Sequence, residues 1–309
     1  MTIEASGGGR AARPGNDLWR QLSSGRVVPV VVLVGCIVLI WYGAAIFMNE
    51  AVVLTLMGDA AHPTFPQLVW ATWSSERPLL PAPHQILIEL QHSVIDVAIT
   101  SKRSLLFHAG VTLQTTLVGF AIGSVAGVLI AVGIVHLKVL QKALMPWIIA
   151  SQTVPILAIA PIVVVVLGNL GITGTLPKAL ISAYLCFFPV TIGMVKGLTS
   201  PDVMLIDLMR TYHASGSQTF WKLRWPASMT YLFASLKVAV AISLVGAIVA
   251  ELPTGAQAGL GARLLSGSYY GQTIQIWAAL FMAASLAAVV VVAVGLVERA
   301  MLARMGARR

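Results

Sequence analysis

The chain has 309 residues, of which 58% are hydrophobic and only 10% charged, with a mean hydropathy of +0.87. That balance excludes an ordinary soluble domain and indicates an integral membrane protein. The net charge of +9 would suit a nucleic-acid partner, but it collects at the ends of apolar segments, so membrane orientation explains it and no nucleic acid is expected. Cys36 and Cys186 both fall in hydrophobic runs, which suggests buried thiols and no disulfide or metal framework.

Residues 1–26 contain Gly, Arg and Ser without periodicity and read as a disordered cytoplasmic tail. Residues 27–47 form an apolar run long enough to cross a bilayer. A signal peptide is the alternative, but the run is too long and lacks a good cleavage site. The segment 48–104 is mixed and rich in proline; it should lie outside and include a short interfacial helix over 83–97. A core at 105–300 follows, with apolar spans near 107–135, 143–167, 176–197, 229–250 and 274–297, so six spans are expected with the first. Gly119, Gly123 and Gly127 put a small residue at every fourth position of the second span, which suits close helix packing in lipid. A basic cytoplasmic tail, 301–309, ends the sequence.

In the third span, Ser151, Gln152 and Thr153 stand beside Pro155 and Pro161. Prolines free backbone carbonyls, which lipid tolerates only where neighbouring helices or a cavity satisfy them. Gln152, Thr153 and Pro155 are therefore candidates for a translocation pathway, with Gln152 read as a buried amide; interhelical hydrogen bonding is the alternative. Glu251 closes the fifth span and is a further pathway candidate, unless it is simply solvated.

The long polar interruption of the C-terminal half is the loop 200–226. Ser200-Pro201-Asp202 reads as a helix start with Ser200 as N-cap. Leu205, Leu208, Met209 and Tyr212 give one apolar face, and Asp207 and Arg210 are spaced to pair. The pattern stops at His213-Ala214; Ser215 and Gln218 then form a capping box for a second short helix beginning near Gly216. That helix should end at Trp225, because Pro226 disfavours helical geometry before it.

This loop resembles the "EAA" loop of permease subunits of binding-protein-dependent ABC importers. That motif reads approximately Glu-Ala-Ala, three residues, Gly, nine residues, then Ile-x-Leu-Pro. Asp207 takes the glutamate position, Leu208 and Met209 the alanines, His213 the glycine and Pro226 the closing proline, without a gap. Leu-Met for Ala-Ala and His for Gly are departures, though His is among the better residues for a left-handed turn. Leu80-Pro81-Ala82-Pro83 resembles the Leu-Pro-x-Pro segment ahead of the family's core, and Glu251 with Gly259 and Gly261 resembles its glutamate and Gly-rich sequence. The likeness covers about 80–300 and is nearest the branch for nitrate, sulfonates, taurine, pyrimidine precursors and riboflavin.

The resemblance implies an all-α membrane protein of six transmembrane helices with a cytoplasmic coupling-helix loop, in a bacterial inner membrane. It implies a homodimer of permeases, an ATPase subunit gripping Asp207 to Arg210, Tyr212 to Gly216 and Pro226, and a periplasmic or lipid-anchored substrate-binding protein. No Gly-x-x-x-x-Gly-Lys-Ser/Thr phosphate loop occurs in the sequence. No cofactor is expected on this chain; ATP and magnesium belong to the partner ATPase, and the chain is read as a transport subunit, not an enzyme. With both termini inside, fourteen of the twenty Lys and Arg residues are cytoplasmic and five external, while Lys237 lies within the fifth span and could snorkel. A stand-alone secondary transporter is the rival reading, and it would be expected to show an inverted repeat and intramembrane ionisable groups.

Overall fold

Long apolar runs in a chain with few charges leave the backbone no partners but its own, so helices dominate. The computed structural model describes residues 27–58, 63–252 and 258–305, and among them no strand occurs. The expected tail at 1–26, and 306–309 of the C-terminal tail, lie outside the described residues. Among the described residues, five helices are long and apolar enough to cross a membrane. The chain divides into two units, one through Gln85 and one from Ile86.

The first unit holds α1 (Val27–Met57) and α2 (Phe65–Trp73). Helix α1 runs well past the expected boundary at 47, because Met48–Met57 has no proline or glycine to stop it. Helix α2 starts at a capping box, Thr64 with Gln67, and has proline in its first turn. Asn49 is fully buried and organises the segment that follows. Its Oδ1 accepts from the N–H groups of Leu79 (2.8 Å) and Leu80 (3.1 Å), and its Nδ2 donates to the Leu80 carbonyl at 2.8 Å. Trp41 Nε1 donates to the Pro81 carbonyl at 3.0 Å. The strap, short of amide donors at Pro78, Pro81 and Pro83, is thus tied to α1 by two of its side chains. Helix α3 (Pro83–Gln91) and a π turn (His92–Asp96) occupy the place of the expected interfacial helix.

In the second unit α4 (Leu105–His136), α5 (Lys138–Ala150), α6 (Ile156–Asn169) and α7 (Thr175–Leu198) are followed by two short helices, α8 (Val203–Thr211) and α9 (Gly216–Thr219). Helices α10 (Trp225–Glu251), α11 (Leu260–Tyr269) and α12 (Thr273–Arg304) complete it. The glycine ladder of α4 lies against α7. A Cβ on Gly123 would come within 2.7 Å of the Ala183 carbonyl, and one on Gly127 within 2.8 Å of the Phe187 carbonyl. Backbones this close gain dispersion contacts that larger residues would forbid. A hydroxyl relay ties in α10. Ser182 and Ser243 lie 2.6 Å apart, and Ser243 donates to the Thr116 carbonyl at 3.0 Å.

Four expectations need correction. The third span is not one helix: α5 and α6 meet at a 100° bend. At 13 and 14 residues, each is about 20 Å long, short of a bilayer core of roughly 30 Å. Lys237 does not snorkel freely but pairs with Glu298 of α12, whose side chain is only 7% exposed. Two opposite charges in contact are far less costly in lipid than either alone. Cys186 is buried as expected, but Cys36 is exposed on α1; both are free. Finally, the loop's second helix does not end at Trp225. It passes through a π turn (Phe220–Arg224) into α10 and makes one 36-residue run, Gly216–Glu251. The Trp225 N–H reaches back to the Phe220 carbonyl, an i−5 bond, so the widened turn carries the helix into Pro226.

Candidate functional site

Helix α8 starts where an acceptor becomes available for its free amides. That residue is Asp202, not Ser200: its carboxylate accepts from the Met204 N–H at 3.2 Å. Asp207 and Arg210 pair at 2.9 Å on the surface, both exposed. The helix stops at His213, whose φ of +50° is the only positive value among described non-glycine residues. The His213 N–H donates to the Arg210 carbonyl and the Ala214 N–H to the Met209 carbonyl, each at 2.9 Å. This is the Schellman arrangement, normally closed by glycine. Ser215 then caps α9: its Oγ accepts from the Gln218 N–H at 3.2 Å, while Gln218 Oε1 accepts from the Ser215 N–H at 2.9 Å.

Helix α8 has no buried residue. Met204, Leu208 and Tyr212, at four-residue spacing, are 77%, 49% and 76% exposed. Met209 is half-buried and Ala214 partly so, whereas Gly216 is exposed. A nine-residue helix is marginal by itself, yet this one shows an apolar face to the surroundings. Behind it the π turn is anchored by aromatics. The ring of buried Phe220 lies 5.1 Å from His136 at the end of α4 and 5.9 Å from Trp225. Loop and spanning helix are thus one continuous element, packed where it leaves α4.

The pathway candidates are not together. Ser151–Thr153 form a single 3-10 turn at the α5–α6 elbow, and Pro155 caps α6. Gln152, Thr153 and Pro155 are exposed in the single chain, so Gln152 is not the buried amide expected; among the described residues its Nε2 reaches only Ser151 Oγ, at 3.3 Å. The elbow is pinned by the Tyr184 hydroxyl, which donates to the Ser151 carbonyl at 2.5 Å.

Glu251 is fully buried, so it is not a solvated span end. Thr112 Oγ1 lies 3.0 Å from both of its carboxylate oxygens, and the Gly261 N–H donates to Oε2 at 2.8 Å. Thr112 in turn accepts from the Leu260 N–H at 2.8 Å. His108 Nδ1 accepts from the Gly259 N–H at 3.0 Å, so its proton sits on Nε2, which donates to the Lys102 carbonyl at 2.9 Å. The start of α11 is therefore latched to α4 and α10 through the amides a helix N-terminus leaves free. Gly259 has φ of +119°, and a Cβ there would overlap the Glu251 carboxyl. Residues 253–257, between Glu251 and the Gly-rich sequence of Gly259 and Gly261, lie outside the described residues. His108 and Thr112 were not singled out from the sequence. Their signal was the four-residue polar spacing His108, Thr112, Thr116 at the head of an apolar span.

Among the described residues no group of three His, Cys, Asp or Glu side chains is placed to hold a metal. Residues 123–306 match the family described as binding-protein-dependent transport system inner membrane component. The chain is 33% identical to the formylaminopyrimidine transport permease protein of Halalkalibacterium halodurans, over 59% of this chain and 68% of that one. It is 29% identical to the riboflavin transport system permease protein of Chloroflexus aurantiacus, over 62% and 70%. Against the nitrate import permease protein of Synechocystis the identity is 24%, over 59% and 66%. The matched segment takes in α8, α9 and the aromatic anchor behind them. The chain belongs to the binding-protein-dependent transport system inner membrane component family, the multi-pass permeases of ABC importers.

Proposed function

We propose that this chain forms the translocation pathway of an ATP-driven importer for a small pyrimidine- or flavin-type solute, delivered by a binding protein outside. The observation that carries the reading is the α8–α9 loop: an exposed apolar helix, closed at a left-handed His213 and continuous with a spanning helix. A separate ATPase binds Asp207 to Gly216, with Pro226 at the root of the spanning helix, and uses the ATP and magnesium. Two copies of this chain enclose the pathway, with Gln152, Thr153 and Pro155 at its elbow. Glu251 shapes it from behind by holding α11. The substrate class leans on the names of the formylaminopyrimidine and riboflavin relatives; nitrate or a sulfonate is the other candidate. The test is uptake of labelled riboflavin and of an aminopyrimidine by membrane vesicles carrying this permease with its ATPase and binding protein. ATP-dependent uptake supports the reading. Uptake driven by an ion gradient without ATP would establish the rival secondary transporter, with Lys237 and Glu298 as its ionisable pair.

Two further expected results belong here. The bias of Lys and Arg puts both termini in the cytoplasm, so a reporter fused after Arg309 should be active inside. One inserted after Glu76, an exposed position beyond α2, should be active outside; reversal at either point rejects this topology. Gln152→Leu keeps approximate size and removes the amide. With no partner among the described residues but its neighbour's hydroxyl to lose, it should leave ATPase association unchanged and cut uptake about tenfold, roughly 1.4 kcal/mol. Normal uptake would remove Gln152 from the pathway.

A further inference from the structure

A polar cleft in the second unit has no part in the coupling loop, the elbow or the Glu251 latch described above. It has a volume of about 610 Å³ and is walled by α3, the π turn after it, Arg103, α11 and the start of α12. Its charged lining residues are Glu89, Asp96, Arg103 and Arg263, two of each sign. Gln272 and Gln275 add amides. Two of these side chains carry a buried polar atom with no partner among the described residues: Arg263 Nε, a donor, and Gln275 Oε1, an acceptor. Glu89, by contrast, is engaged, accepting from Ser93 Oγ at 2.8 Å.

Leaving a buried donor or acceptor unpaired is costly, so native structures rarely do it. Two such atoms in one cleft indicate that something else satisfies them part of the time. The volume falls within the range of small-molecule sites, roughly 300–1,000 Å³. Its formal charges cancel, which disfavours a small anion: nitrate or a sulfonate would gain from the guanidiniums and lose to the carboxylates. A free donor with a free acceptor instead suits a neutral ligand offering one of each, as an amide or lactam edge does. Charged neighbours strengthen hydrogen bonds to such an edge without requiring charge on the ligand.

We infer that this cleft is a binding site on the permease itself for a neutral solute with an amide-type edge, such as a pyrimidine or the pyrimidine ring of a flavin. The ligand class rests on the substrate reading proposed above; the location does not. Gln275 and Arg263 pair with the edge, and the surrounding charges exclude anions.

The test is equilibrium binding to the purified permease–ATPase complex, with cytosine, riboflavin, nitrate and ethanesulfonate as probes and Gln275→Leu and Gln275→Glu as variants. Cytosine or riboflavin should bind saturably and the two anions should not. Gln275→Leu should weaken that binding at least tenfold, and Gln275→Glu, which keeps an acceptor, should restore it to within about threefold. Because Gln275 Oε1 has no partner among the described residues, Gln275→Leu should not lower the melting temperature, so lost binding cannot be ascribed to unfolding. If cytosine or riboflavin binds equally to Gln275→Leu, the cleft is not the site, while the substrate reading stands on its uptake assay. If only an anion binds and Gln275→Leu abolishes it, the ligand class is wrong. Absence of binding by all four probes overturns the inference.

Discussion

Leu208→Asp permease should reach the membrane at wild-type levels, fail to retain its ATPase on purification, and lose uptake by about a hundredfold or more. The argument starts from exposure. Helix α8 buries none of its residues within the chain, and Leu208 is half exposed between the still more exposed Met204 and Tyr212. A charge at that position therefore costs the isolated subunit little. In a docked complex the same face is desolvated, as in other helix-in-groove contacts. An unpaired carboxylate there costs several kcal/mol, and about 2.8 kcal/mol already corresponds to a hundredfold loss of affinity. Leu208 is a cleaner probe than Met209, which is half-buried, so a charge at Met209 would disturb the loop as well as the contact. The rim should behave differently. Asp207 and Arg210 form an exposed ion pair of the i, i+3 kind, worth only about 0.3–0.5 kcal/mol, so Asp207→Ala should keep the ATPase bound and trim uptake mildly. Co-purification and uptake measured on both variants decide it. Full ATPase retention with normal uptake in Leu208→Asp would mean that α8 is not where the ATPase engages.

What could be read in advance follows the range over which each feature is determined. His213 was legible because its left-handed turn depends on one residue's φ, and the Ser215–Gln218 box because both bonds close within three residues. The α4 ladder was legible for the same reason: small residues at every fourth position declare a close approach whatever the partner. The bend at 151–155 was half legible. The prolines and hydroxyls were visible, but an apolar run of spanning length is indistinguishable in hydropathy from two short helices, and the angle depends on Tyr184 of a later helix. The placement of Ser200 as N-cap failed because Asp202, two residues on, is a competing acceptor. Least legible were the long-range pairings. Asn49 folds a strap 30 residues downstream, Thr112 meets a carboxylate 139 residues away, and Lys237 finds Glu298 on the last helix. Each residue looks like an isolated polar intrusion until the helices are brought together.

The Thr112–Glu251 pairing makes the second large effect. Thr112→Val conserves shape and removes one hydroxyl, but that hydroxyl does two things: it donates to the Glu251 carboxylate and accepts from the Leu260 N–H. Its loss strands a buried amide and withdraws one donor from a fully buried carboxylate. Each unsatisfied group costs about 1–3 kcal/mol, more where a charge is involved, so a penalty of about 3–5 kcal/mol is expected. That is a large part of the stability of a typical folded domain, roughly 5–15 kcal/mol. The purified variant should therefore melt well below wild type. Thr112→Ser keeps the hydroxyl and should melt close to wild type. Gly259→Ala should be worse than either, because its Cβ would overlap the Glu251 carboxyl at a φ of +119°, a region open to glycine; little of it should accumulate in the membrane. These variants also separate the two roles open to Glu251. A latch lowers melting temperature and uptake together in Thr112→Val and spares both in Thr112→Ser. If Thr112→Val melts like wild type yet transports poorly, Glu251 and Thr112 act on the solute and not on the position of α11.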